Sequence, residues 1–280
     1  MARLTRTELL KLRTNGSLAR FALAAVALSL LLTVVHVSQA DFGRKLPFER
    51  QTEVVIEGSS DRLVLNREAV RERDVRTALS AWSAVGLVAL ILGIASVTSE
   101  ERHGTLLHTL LATPHRRRML ASKLIATVVM SVALALLAAI VAVAVGFALL
   151  ASRGVSAALP AGTLAGVLAG GLAATAISAA LGAGIGAIVR SPTAGVVFAL
   201  ATLLLVDPAV AVLLADQAPG LEDYTPGQSA AALTGAGLLG GLAPEGGLEP
   251  LLGGVVYLGW AALAVACGSS LFERRDLAAS

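Results

Sequence analysis

The sequence predicts an all-α fold, a polytopic membrane protein with six transmembrane helices. Only 15% of its 280 residues are charged, 56% are hydrophobic, and the mean hydropathy is +0.78. Soluble domains carry about 25% charged residues. The charges cluster in short stretches, and the apolar runs between them reach about 20 residues or more, the length that spans a hydrocarbon core of roughly 30 Å. The chain is therefore predicted to fold in a lipid bilayer.

Each span is predicted from one apolar run, and together the runs form a single transmembrane domain over residues 1–280. The third and fourth runs exceed the bilayer thickness, which predicts helices that tilt or project from it. The first run is longer than the core of a signal peptide, about 7–15 residues, and further spans follow, so we expect it to be retained. The predicted spans are 21–40, 78–97, 124–151, 162–189, 195–214 and 251–271.

The Lys and Arg residues that flank the runs predict the orientation, because cytoplasmic loops are enriched in them. Thirteen lie in the N-terminal segment, the loop after span two, the turn after span four and the C-terminal segment, against nine in the alternate set. Both termini are therefore expected in the cytoplasm, with loops 41–77 and 215–250 outside. These flanking bases also account for the pI of about 9.5, so no nucleic-acid partner is expected.

The predicted outer loop 41–77 carries signs of local structure. Residues 52–57 alternate in polarity as a short strand does, and Asn66 is placed to cap a helix that runs through Arg76 into span two. Trp82, near the outer end of span two, fits an interfacial aromatic residue.

Small residues recur every four positions at the start of span four. Glycine at this spacing lets two helix backbones approach closely, so this face is predicted to pack against another helix. The residues are Gly162, Gly166 and Gly170.

The segment 98–115 holds the most informative local pattern. Thr98 and Glu101 have the spacing of a capping box, which predicts that a helix begins at Thr98, with Glu100 in the first turn, where the helix dipole favours acids. Pro114 would end this short helix. Such a helix either docks on a protein or rests on lipid, and the pattern alone leaves both interpretations open. Leucines at i, i+1, i+4 and i+5 give it one apolar face, formed by Leu106, Leu107, Leu110 and Leu111.

The sequence offers few residues for ion-driven transport, metal binding or ATP binding. No charged residue lies deep within a predicted span, Asp207 in span five being the nearest, and this disfavours an ion-driven carrier. The four histidines form no His-Glu-x-x-His pattern and the single cysteine, Cys267, lies in an apolar run, so no metal site is expected. The sequence contains no Gly-x-x-x-x-Gly-Lys-Ser/Thr loop, so the chain cannot hold ATP in that manner.

Five short segments, taken in chain order, carry a resemblance to a known family. The run 100–106 (EERHGTL), followed by 110–114 (LLATP) and Lys123, resembles the cytoplasmic coupling-helix region of ABC-2-type permeases, the membrane-spanning subunits of bacterial ABC exporters. Members often carry a further acid where Leu107 or His108 stands here. The other similar segments are 8–13, 190–194, 224–227 and 272–276.

This resemblance implies a transport subunit that is not itself an enzyme and holds no cofactor. A separate ATPase subunit would bind ATP and Mg, and a second permease copy or a paralogue would complete a dimer in the prokaryotic plasma (inner) membrane. Hydroxyls are the main polar groups in the spans, which suits an apolar or amphipathic substrate, although the sequence does not indicate the substrate-binding residues. The residues implied to dock on the ATPase are Glu100, Glu101, Gly104, Thr105, Leu106, Leu107, Leu110 and Leu111.

Two alternatives remain open from the sequence. The chain could be a membrane subunit that transmits ATPase-driven motion to an extracellular partner without carrying a substrate. An ion-coupled secondary transporter is the other alternative, and the scarcity of charge within the spans disfavours it.

Overall fold

A computed structural model of the chain describes residues 2–14, 17–40, 52–55, 62–65, 67–102, 116–155, 159–235 and 247–274. The described part is almost entirely helical, with one small antiparallel hairpin. Its helices are α1 (Ala2–Thr14), α2 (Ser17–Gln39), α3 (Arg67–Ser80), α4 (Val85–Arg102), α5 (Arg116–Ser152), α6 (Ala161–Val189), α7 (Pro192–Ala201), α8 (Asp207–Gln217), α9 (Pro226–Thr234) and α10 (Pro250–Arg274).

Six helical stretches within the described residues are long and apolar enough to cross a membrane, and this confirms the predicted fold class. Two are composite: α3 continues into α4 through a 3-10 turn at Ala81–Ala84, and α7 continues into α8 through a π-helical segment at Thr202–Val206. α5 has 37 residues, about 55 Å at 1.5 Å per residue, so it projects well beyond a hydrocarbon core. The spans are Leu18–Gln39, Arg71–Ser99, Arg118–Ser152, Ala161–Val189, Pro192–Ala215 and Pro250–Leu271.

The segment between the first two spans contains the strand and the helix that its sequence predicts. Strand β1 (Thr52–Val55) pairs antiparallel with β2 (Arg62–Leu65). Helix α3 then leads directly into the second span. The cap predicted at Asn66 lies outside the described residues.

α4 is the central helix of the bundle and the most buried of the spans. One of its faces packs with α2 and α5 in a cluster that includes Val85, Ala25 and Ala138. Another meets α6, α7 and α10 around Leu90 and Tyr257. A helix that is apolar all round is expected at such a position.

Glycines set the distance between α4 and α6. Gly93 of α4 lies against the Ala179 carbonyl of α6, and Gly182 of α6 lies against the Leu90 carbonyl of α4. A side chain at either position would collide with backbone, which cannot move aside as a flexible side chain can. The two helices therefore approach as closely as small residues in membrane helices allow.

The predicted packing face at the start of α6 is only partly used within the chain. Gly170 lies against the Leu233 carbonyl of α9, whereas a Cβ at Gly162 or Gly166 would meet nothing within 4 Å. Among the described residues, no other helix packs closely against these last two glycines.

Trp82 does not lie on the surface of the bundle, so the prediction of an interfacial aromatic residue is wrong. Its side chain is fully buried in the bundle, and its ring lies 2.5 Å from where a Cβ of Gly171 would stand. Because Gly171 has no side chain, the indole of Trp82 fits into the core at this point.

The outward faces of the spans are apolar, the reverse of a soluble protein. Leu205 and Val212 in span five are each 70% exposed, and Leu251 at the start of α10 is 81% exposed. A contiguous apolar surface of this extent is unfavourable in water. Its contact with lipid agrees with the hydrophobic composition of the chain.

Candidate functional site

Three elements meet at one end of the bundle: α1, the end of α4 and the start of α5. Val97 of α4, Leu120 of α5 and Ala187 of α6 pack there in one buried cluster, and α1 lies against α5. α4 ends at Arg102 and α5 begins at Arg116. The predicted coupling segment therefore connects two helices that are already packed together at this end.

A buried ion pair fastens α1 to α5 at this end. Lys123 Nζ donates to Glu8 Oε2 at 2.9 Å, across 115 residues of sequence. Lys11, one turn along α1, donates to Glu8 Oε1, also at 2.9 Å. Both residues of the pair belong to segments that carry the family resemblance, but no spacing rule links positions so far apart, so the pair is not predictable from the sequence alone.

The pair is well shielded from solvent. Lys123 is 4% exposed, and a lysine this buried needs a counter-charge. Burial on its own raises the pKa of Glu8, but the charges and hydrogen bonds of Lys123 and Lys11 outweigh it and hold that pKa below its ordinary value of 4.5. Glu8 is therefore ionised at neutral pH and both ends of the contact carry charge.

Thr98 does not begin a helix, so the prediction of an N-cap is wrong. α4 runs through it to Arg102, and the buried Thr98 hydroxyl donates to the Ile94 carbonyl one turn earlier, at 2.8 Å. A hydroxyl bonded in this way is typical of a threonine inside a helix. Glu100 and Glu101 consequently lie in the last turn of α4 and not in the first turn of a new helix.

The remaining predicted docking residues lie in 103–115, outside the described residues. The structure brackets this segment, since it describes the helix that enters it and the helix that leaves it. The residues are Gly104, Thr105, Leu106, Leu107, Leu110 and Leu111.

Asp207, the acid nearest to a membrane interior, has a structural task. It lies in span five directly after the π-helical segment and is 6% exposed. Its Oδ1 accepts from Gly227 N–H at 2.9 Å, and Thr225 Oγ1 lies 3.5 Å from Oδ2. The carboxylate thus caps the start of α9, where the helix dipole favours an anion.

Most of the hydroxyls within the spans bond to their own helices, whereas the buried hydroxyls of Thr33, Thr127 and Ser131 have no hydrogen-bond partner among the described residues. Ser29 donates to the Ala25 carbonyl, and Thr175 donates to the Gly171 carbonyl. Ser178 bonds to its own helix and also links α6 to α10 through the Tyr257 hydroxyl, at 2.8 Å. A hydroxyl satisfied inside its helix is compatible with an apolar environment.

No group of three or more candidate metal ligands occurs among the described residues. Asp207 is occupied as a cap and Glu8 as an ion-pair partner. In the part of the chain that the structure describes, this end of the bundle thus combines helix packing with the buried Glu8–Lys123 ion pair, beside the segment that connects α4 to α5.

The family model described as "ABC-2 family transporter protein" matches residues 19–277. The chain belongs to the ABC-2 transporter family. This permease gave no match in a search of curated proteins. As a family member it is a membrane component of a transporter, and its family works in general with an ATPase partner.

Proposed function

We propose that this permease forms, as a dimer, the translocation path of an ATP-driven exporter in a prokaryotic plasma membrane. A separate ATPase subunit binds ATP and Mg and drives the cycle. One observation carries the proposal: a family match over residues 19–277 in a sequence that contains no phosphate-binding loop. An apolar or amphipathic substrate is the class that suits spans in which most hydroxyls are bonded within their own helices.

The segment 98–115 is proposed as the contact with the ATPase. Support comes from its position, because it joins α4 to α5 where the Glu8–Lys123 pair also holds α1. A displacement of this segment would therefore be transmitted to α1, α4 and α5, and α4 is the central helix of the bundle.

Glu100 and Glu101 support this assignment through their position in the last turn of α4. The C-terminal end of a helix carries partial negative charge and disfavours acids. Helix stability therefore does not explain two adjacent glutamates there. Basic groups on a partner protein would explain them.

The leucine face of the segment supplies the proposed binding energy. Burying one leucine side chain is worth roughly 1.5–3 kcal/mol. Loss of a central contact such as Leu110 would weaken docking by about tenfold or more. Gly104 would permit a close backbone approach.

The test compares two aspartate substitutions one residue apart. Leu110→Asp charges the predicted apolar face, whereas Thr109→Asp adds the same charge beside it. Each variant is expressed with the ATPase, and both the ATPase retained by the permease and substrate-stimulated ATP hydrolysis in proteoliposomes are measured at equal permease amounts.

We expect Leu110→Asp to lose most of the bound ATPase and of the stimulation, while Thr109→Asp stays close to the wild-type protein. Equal retention by all three would refute the docking assignment. A stimulation that requires an added extracellular protein and no substrate would instead support the non-translocating alternative.

A further inference from the structure

The chain between spans five and six turns back toward the middle of the bundle. Tyr224 marks its depth, because the indole N–H of Trp260 donates to the Tyr224 carbonyl at 2.9 Å. Trp260 lies ten residues after Pro250, where α10 begins, and this is about 15 Å along the helix axis at 1.5 Å per residue. Span six ends at Leu271, so Tyr224 lies beside the middle of this span.

A second contact gives a similar depth from span five. Asp207 Oδ1 accepts from the Gly227 N–H at 2.9 Å, and Asp207 lies eight residues before the end of span five, about 12 Å along the axis. From Gly227, helix α9 runs back along the start of α10, since a Cβ at Gly253 would lie 2.7 Å from Ala232 Cβ. Residues 218–225 therefore form a re-entrant segment, which turns back within the length of the two neighbouring spans.

The re-entrant segment is poorly suited to contact with lipid. Its regular structure is one 3-10 turn, Glu222–Tyr224, and irregular backbone at membrane depth is tolerated where protein buries it or where it lines a water-filled cavity. The turn carries two neighbouring acids, Glu222 and Asp223, and both are partly exposed. Among the described residues, no base forms an ion pair with either acid. An unpaired carboxylate at this depth is costly in lipid.

Span six has a separate side that faces lipid. Leu251, Val255 and Leu258 lie on one side of α10, at i, i+4 and i+7, and each is more than half exposed. Trp260 lies opposite Leu251, since nine residues at 100° each amount to two and a half turns. If the first turns of α10 projected out of the bilayer, these apolar side chains would stand in water. Their exposure therefore places this part of α10, and the re-entrant segment beside it, within the bilayer.

We propose that the acidic side of the re-entrant segment lines a water-filled vestibule within the thickness of the bilayer, and that Asp207 anchors the segment there. Water would solvate Glu222, Asp223 and the backbone of the turn. Gly227 permits the anchoring contact, because a Cβ in its place would collide with the Asp207 carboxylate. That the vestibule belongs to the translocation path rests on the proposed function, whereas its contact with water does not.

The test measures the reaction of single cysteines with a water-soluble, positively charged methanethiosulfonate reagent. The Cys267→Ser chain is placed in lipid nanodiscs, which leave both membrane faces accessible. Tyr224→Cys reports on the re-entrant segment. Leu258→Cys is its control, because Leu258 lies two residues from Trp260 on the side of α10 that faces lipid. The reagent attacks a thiolate, which forms in water and is disfavoured in apolar surroundings, so we expect Tyr224→Cys to react and Leu258→Cys not to react.

Two results would overturn the vestibule. Reaction of both cysteines at similar rates would mean that this part of the chain lies outside the bilayer. Reaction of neither would mean that lipid or protein covers the re-entrant segment. Because the measurement involves no ATPase and no substrate, either result would leave the proposed function standing.

The role of Asp207 is tested with a cysteine at Ser229, a fully buried residue of α9. Asp207→Ala removes the carboxylate and is expected to raise the reaction rate of Ser229→Cys about tenfold or more, because a hydrogen bond to a charged group is lost. Gly227→Ala displaces the same contact from the other side and should have a similar effect. Gly259→Ala, at a glycine that faces open space, is the matched control and should leave the rate unchanged.

Monodisperse elution in size-exclusion chromatography identifies the variants that are folded. Folded Asp207→Ala and Gly227→Ala proteins that both keep Ser229→Cys protected would refute the anchoring role. Asp207→Asn retains an oxygen that can accept from the Gly227 N–H, so it is expected to preserve the protection. Loss of protection in Asp207→Asn equal to that in Asp207→Ala would mean that this hydrogen bond does not hold the segment.

Discussion

Glu8 and Lys123 carry the charge at the α1 end of the bundle. Lys11 also contacts Glu8, but its side chain is 47% exposed, whereas that of Lys123 is 4% exposed. An exposed ion pair contributes little because water competes for both charges. A buried charge that loses its partner has no such replacement. The two lysines of one carboxylate should therefore differ strongly in their effect on stability.

Lys123→Met is expected to lower the stability of the permease by about 3 kcal/mol, since it leaves Glu8 buried with only the exposed Lys11. Lys11→Met is the matched control and should cost less than about 1 kcal/mol. The double variant Glu8→Gln/Lys123→Met should recover part of the loss, because no unpaired charge remains. Thermal unfolding in detergent measures all three. Equal effects of the two lysine substitutions would contradict the burial argument.

The same pair predicts a dependence on pH. The pKa of Glu8 is lowered in the folded state from its ordinary value of 4.5. The pair therefore contributes its full stability above pH 4.5, and that contribution is lost as the pH falls through the lowered pKa. The difference in melting temperature between the wild-type protein and Glu8→Gln should be constant from pH 7 to about 5 and shrink below pH 4.5. A difference that grows in acid would have the wrong sign.

At the scale of single elements, the contact between α4 and α6 depends on a few glycines. Gly182 packs on backbone, whereas Gly259 faces open space. Gly182→Leu must push the two helices apart, and overpacking of this kind costs about 1–3 kcal/mol or more. We expect it to reduce the monodisperse fraction in size-exclusion chromatography, while Gly259→Leu behaves like the wild-type protein. A Gly182→Leu protein that purifies and melts normally would show that the helices can separate without cost.

The elements also show how far local patterns reach. Runs of apolar residues are sufficient to find all six spans, since a span must be long and apolar whatever it packs against. Helix ends are harder to predict. Thr98 and Glu101 satisfy the local rule for a capping box, yet no helix begins there. α4 is buried on several sides, and its backbone stays helical to Arg102. Burial likewise decided the place of Trp82, which no spacing of residues could indicate.

The candidate site follows the same division. The apolar stripe of segment 98–115 can be read from the sequence. The contact that fastens α1 beside this segment cannot, because it joins residues 115 positions apart. Nor does the sequence reveal that, of the three glycines at the start of α6, only Gly170 packs on backbone among the described residues.

At the scale of the whole molecule, the prediction that remains to be tested is its orientation. In a Cys267→Ser background, which removes the single native cysteine, cysteines introduced at Ser59 and Gly237 are expected to react with an impermeant thiol reagent in intact cells. A cysteine at Thr109 should react only after the membrane is opened. Labelling of Thr109→Cys alone in intact cells would reverse the topology.

The bundle is unevenly packed, and this bears on how it could move. Among the described helices, α4 and α6 form the most extensive contact, with backbone against backbone at their glycines. Span five is among the least buried. Motion driven from one end of the bundle should therefore carry α4 and α6 as one body, and relative displacement should concentrate at the more exposed spans.

The burial of Trp82 also provides an optical reporter. The permease has two tryptophans: Trp82 is fully buried, and Trp260 is 40% exposed, with its indole N–H bonded to the Tyr224 carbonyl. A buried indole emits at short wavelength, because its surroundings cannot reorient around the excited state. Quenchers dissolved in water do not reach it. Fluorescence from Trp82, isolated by Trp260→Phe, would thus report whether the interior of the bundle opens during a transport cycle, without any attached label.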